Sequence, residues 1–123
     1  MLDEALLAFI KSSLRSVWAL ELLLLLRLQA PRAFTIEEAA RELRATASLV
    51  ANCLPQLESA GLIAGEDGAF KFSPASPALQ ELCALLDVAY RERPVAIIAA
   101  IMSSSDTKLQ GLADAFRFKD KDK

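Results

Sequence analysis

The chain predicts a mainly α fold carrying a small β-hairpin, and three features between Thr35 and Ser73 carry that expectation. Thr35-Ile36-Glu37-Glu38 is a capping-box pattern: the Thr hydroxyl accepts from the third backbone N–H, and Glu38 reaches back to the cap. Two amphipathic segments then follow, separated only by Arg44-Ala45-Thr46, with Thr46 able to cap the second. Finally, Leu62-Ile63 and Phe70-Lys71-Phe72 flank Gly65-Glu66-Asp67-Gly68, whose Asp-Gly pair favours a tight hairpin turn. Two capped helices joined by a short turn and followed by a hairpin form a winged helix-turn-helix, here with additional N- and C-terminal helices.

The elements can be justified in order. The N-terminal third reads as helix throughout, with Leu6, Phe9 and Ile10 marking an apolar face that Leu14, Val17 and Trp18 continue. Trp18 falls in that stripe and is expected to anchor the core. The run Leu22 to Leu26 is apolar on every side, as in a helix that neighbours cover all round. Pro31 ends the helix by disfavouring helical geometry in the residue before it. Ile36, Ala39, Ala40 and Leu43 give the next helix its buried face. Leu49, Val50, Cys53, Leu54 and Leu57 do the same for its successor, and Gly61 sits where a left-handed terminator is wanted. Pro55 lies inside that helix, where it removes the bond to the Ala51 carbonyl.

Beyond the hairpin, Ser76-Pro77 is a helix start, and Leu79, Leu82, Cys83, Leu86 and Tyr90 share one face. Pro94 begins a further apolar segment through Met102. Asp106 is a good cap for a last short helix bearing Leu109, Leu112, Ala113 and Phe116. The expected organisation is a single winged helix domain over 1–118: helix-turn-helix at 35–60, wing at 62–73 and C-terminal helices at 77–118. Residues 119–123 carry no apolar side chain and read as a flexible tail.

Composition sets the outer limits. The chain has 123 residues, the size of one domain with a real core, and 54% of them are hydrophobic. That apolar fraction exceeds the usual share and points to an extra helix-packing surface or an oligomer interface. The greasiest stretch, Val17 to Leu28, is too short to span a bilayer and is interrupted by Glu21 and Arg27. Met1-Leu2-Asp3-Glu4 is acidic where a secretory signal would be basic, so no membrane partner and a cytoplasmic location are expected. Cys53 and Cys83 are too far apart and too few for a disulfide framework, and read as buried small hydrophobes. The chain contains no His, no Cys pair at ligand spacing, no Gly-rich phosphate loop and no nucleophile beside a base. No metal, no cofactor and no catalytic residue are therefore expected, and the chain does not read as an enzyme.

The segment Ser16 to Leu26, the helix-turn-helix, Leu57-Glu58-Ser59-Ala60-Gly61-Leu62-Ile63 and the wing Gly65 to Ser73 resemble small bacterial winged helix-turn-helix transcription regulators of the MarR-like kind. The resemblance covers nearly the whole chain at the level of architecture and describes a scaffold more than a ligand. It implies sequence-specific DNA binding as a homodimer, with the second helix of the pair in the major groove.

The side chains complicate that implication. Thr46, Ser48, Asn52 and Gln56 are the candidate base contacts, since Asn and Gln suit adenine edges and Ser or Thr serve bases or phosphates. The bland reading of Asn52 and Gln56 is solvated surface. No Lys or Arg lies between Thr46 and Ser59, so backbone contacts would fall to Arg41, Arg44 and Lys71. Arg41 and Arg44 could equally pair with Glu37, Glu38 or Glu42. With Glu58, Glu66 and Asp67 included, the region is acidic, whereas phosphate neutralisation normally supplies most non-specific affinity. Two classes of function follow: a dimeric DNA-binding transcription regulator, or a winged helix that docks a protein through its apolar C-terminal helices. The acidic balance favours the second. The family resemblance favours the first, and the regulator is the preferred expectation, because dimerisation could bring basic residues from elsewhere onto the DNA face.

Overall fold

The computed structural model describes residues 3–103. Its elements are α1 (Glu4–Ser13), α2 (Val17–Leu28), β1 (Phe34–Thr35), α3 (Ile36–Leu43), α4 (Ala47–Ser59), β2 (Ile63–Glu66), β3 (Ala69–Phe72) and α5 (Pro77–Glu92). A further helix, α6, covers 94–103. The fold is mainly helical, with one small antiparallel sheet in the order β1-β3-β2. The Asp106-capped segment with Leu109, Leu112, Ala113 and Phe116, and the 119–123 tail, lie outside the described residues. No helix among the described residues is long and apolar enough to cross a membrane.

The N-terminal third is two helices, not the continuous helix its apolar spacing suggests. Serine chemistry makes the break. Ser12 Oγ donates to the Phe9 carbonyl at the end of α1, Leu14 and Ser16 are extended, and Ser16 Oγ accepts from Ala19 N–H to start α2. Serine offers the backbone such alternatives at little cost, so it favours helix ends over interiors. The break also re-aims α2. Ala19, Leu20, Leu22, Leu23 and Leu26 turn inward, and Trp18 lands outside at 40% exposure instead of anchoring the core. Leu24 and Leu25 are half-buried and Leu28 is 76% exposed, so the leucine run is not covered all round.

The sheet holds one strand more than the hairpin pattern suggests. Phe34 and Thr35 pair with Phe70 and Ala69, which makes β3 the middle strand. The hairpin turn is Asp67-Gly68, both at positive φ (56° and 80°), the combination that matches the twist of two-residue hairpins. Lys71 is exposed between half-buried Phe70 and Phe72, as strand alternation requires. The Phe70 ring lies over its cross-strand partner Gly65, where an added Cβ would come within 2.5 Å of it.

Both helices of the central pair begin and end on named caps. Thr35 and Glu38 complete the capping box at α3, and Thr46 accepts from Leu49 N–H at α4. At the end of α4, Leu62 N–H bonds the Leu57 carbonyl and Gly61 N–H the Glu58 carbonyl, with Gly61 at φ 77°. That is a Schellman termination, and buried Leu57 and Leu62 supply its apolar contact. α5 is fastened to α2 by two polar links: Arg27 to Asp87 at 2.8 Å, and Tyr90 Oη donating to Glu21 at 2.7 Å.

Removing the Ser16 cap tests the break between α1 and α2. Ser16→Ala is expected to lower stability by about 1 kcal/mol, the usual cost of losing an N-cap, in a urea melt. An unchanged midpoint would mean that packing of Leu14 alone sets the break.

Candidate nucleic-acid interface

The sequence singles out residues on α3, α4 and β3, and the structure separates them into distinct roles. On α4 the exposed positions Ser48, Asn52, Pro55 and Ser59 recur at intervals of three and four, so they form one stripe along the helix. The opposite side carries buried Val50, Cys53, Leu54 and Leu57. Pro55 sits within the exposed stripe, and α4 runs through it without interruption.

The four candidate base contacts are not equivalent. Ser48 and Asn52 are exposed on the stripe. Thr46 is exposed at the start of α4, and its hydroxyl oxygen is engaged as the cap. Gln56 is half-buried on one flank, and its Nε2 is buried without a hydrogen-bond partner among the described residues. A buried donor left unpaired costs roughly 1–3 kcal/mol, which makes this amide conspicuous.

The three candidate backbone contacts are all exposed but come from three elements. Arg41 lies in the last turn of α3, Arg44 in the turn before α4, and Lys71 on β3 opposite Ala64. Arg44 holds a left-handed backbone (φ 57°, ψ 42°) at the end of α3, a conformation that favours Gly. Ala45 N–H reaches the Ala40 carbonyl across it, so the tight turn depends on that geometry. Arg32, also basic, stacks its guanidinium 4.2 Å over the Phe34 ring.

The local charge remains acidic at the surface. Glu37, Glu42, Glu58, Glu66 and Asp67 are exposed. Glu38 is different: its carboxylate accepts from Thr35 N–H at 3.0 Å, and that backbone bond holds its pKa below the usual range. Its charge serves the positive end of α3.

A polar groove of about 430 Å³ opens beside α4, between its Gln56 flank and the end of α1. Ser12 and Arg15 line it from the N-terminal side, and Asn52, Pro55, Gln56 and Ser59 from α4. Sequence reasoning missed Arg15 here, because the residue is far in sequence from the helix it adjoins; only the break at Ser16 could have hinted at it.

Cys53 and Cys83 are buried, as expected of small hydrophobes, and burial pushes both thiols up, Cys83 to about 11. Neither holds appreciable thiolate at neutral pH, the form needed for reaction.

Comparison with protein-family models and with curated proteins finds no match to this chain.

The left-handed Arg44 gives a direct test of the turn. Arg44→Gly is expected to raise stability by up to about 1 kcal/mol in thermal unfolding, because glycine meets that geometry without a Cβ penalty. A loss of stability would instead assign the arginine side chain a structural role.

Proposed function

We propose that this chain is a winged helix-turn-helix transcription regulator of the MarR-like kind that binds DNA as a homodimer. The observation that carries the reading is the exposed polar stripe of α4. Ser48 and Asn52 are presented on a capped helix that follows a short turn and precedes a two-residue hairpin. α4 is the reading helix and the β2–β3 hairpin is the wing. Thr46, Ser48, Asn52 and Gln56 address base edges, with Asn52 the most exposed of the amides and suited to adenine. Arg41, Arg44 and Lys71 address phosphates from either side of that helix. The dimer surface is drawn from α5 and α6, whose Leu85, Val88, Val95 and Met102 are exposed, Val95 at 79%. Large apolar side chains left in water are the material of an interaction surface.

A second reading is favoured by the carboxylates. Glu66 and Asp67 occupy the hairpin tip, where a wing would meet phosphate, and both are exposed. On that reading the chain is a protein-docking module that uses the same α5 and α6 face and binds DNA weakly or not at all.

Selection from a pool of genomic duplexes separates the two. The regulator should enrich a short palindromic site. Asn52→Ala should then relax preference at one base position by about 1–3 kcal/mol, while Arg44→Ala weakens all sequences alike. No enrichment even at low salt would overturn the regulator reading. Light scattering at micromolar concentration should give a dimer, and Val88→Asp with Val95→Asp a monomer; a wild-type monomer would refute the assembly.

A further inference from the structure

The reading helix carries no Lys or Arg from Thr46 to Ser59, yet DNA association depends on neutralising phosphates. A groove opens between the α1–α2 turn and α4. Its walls supply a guanidinium from Arg15, hydroxyls from Ser12 and Ser59, and the side-chain amides of Asn52 and Gln56. Arg15, Ser59, Asn52 and Gln56 can donate hydrogen bonds there, whereas the Ser12 hydroxyl already donates to the Phe9 carbonyl, and no carboxylate is among the described residues that line the groove. The Gln56 Nε2 is buried without a partner among the described residues, so the site holds a donor that an incoming acceptor would satisfy after rotation of the terminal amide. A groove that offers several side-chain donors and a guanidinium suits an oxyanion. Its position beside the Ser48–Asn52 stripe selects which one.

We propose that this groove seats a backbone phosphate of the bound duplex, with Arg15 contributing the cation that α4 lacks. The inference rests on the DNA-binding reading above. Arg15 enters from the turn that Ser16 creates, so the helix break positions the charge. Guanidinium is also the cation best matched to phosphate, because its donors form a planar fork. Asn52 then joins two contacts, facing bases along the stripe while bordering the phosphate seat, which sets the register of the helix against the backbone.

The test is a salt series of fluorescence anisotropy titrations with the full chain and a mixed-sequence duplex of about two helical turns. Arg15→Gln should make the slope of log affinity against log salt shallower by about 0.9, the value for one phosphate contact, and Arg15→Lys should restore it. Gln56→Met should weaken binding by about tenfold at every salt concentration without changing the slope, as expected for a neutral hydrogen bond to a charged group. The urea midpoint of Arg15→Gln, measured beside the titrations, separates a lost phosphate contact from a loss of folding. If Arg15→Gln leaves slope and affinity intact while Arg44→Ala makes the slope shallower, the chain binds DNA but the groove holds no phosphate. If the wild type binds no duplex at low salt, the regulator reading falls and takes this seat with it.

Discussion

Everything in the structure depends on the burial of α2. Leu20, Leu22, Leu23 and Leu26 are fully enclosed, and α3, α4 and the β3 strand are arranged around this one helix, to which α5 is joined by its two polar links. Each such leucine contributes about 1.5–3 kcal/mol through removal from water, which exceeds what any cap or ion pair here can supply. α2 therefore acts as the template. α4 rests its Val50, Cys53, Leu54 and Leu57 face towards the core, and that fixes which of its residues remain outside. The exposed stripe is the geometric complement of the buried one. The polar links from α5 to Glu21 and Arg27 then set how α5 lies against the same template.

What could be read from the residue order was what local chemistry decides. The capping box at Thr35, the Thr46 cap, the Gly61 terminator, the Asp67-Gly68 turn and the Ser76-Pro77 start each use contacts within five residues of themselves. The misreadings share the opposite property. Strand β1 exists only because Phe34 and Thr35 meet Phe70 and Ala69, a pairing with no local signature. Trp18 falls outside the core because Ser16 resets the helix phase, and spacing alone extrapolated across the cap. Arg44 adopts a glycine-like backbone under the demand of a turn between two packed helices. For the candidate site, residue types on α4 were legible, but their separation into exposed Ser48 and Asn52 and half-buried Gln56 was not.

The electrostatics place a constraint on any partner. The chain carries 14 basic and 16 acidic side chains, so attraction to a polyanion has to come from placement and not from net charge. Glu38 is already committed to the start of α3, whereas Glu66 and Asp67 are exposed at the hairpin tip. Cations are dispersed over α3, the turn before α4, the middle strand and the α1–α2 turn. A partner that engages several of them must span more than one element. A short peptide laid along α4 would meet no positive charge from that helix itself.

The two buried thiols make the protein its own clock for opening. Each lies in the apolar interior with its pKa raised, so an alkylating reagent reaches it only when the surrounding helix lifts away. Cys53 belongs to α4 and Cys83 to α5. Labelling rates followed at the two positions thus time the exposure of two different helices in one unmodified chain. Equal rates would describe a molecule that opens as a unit. A faster Cys83 would describe a C-terminal helix that detaches while α4 stays seated.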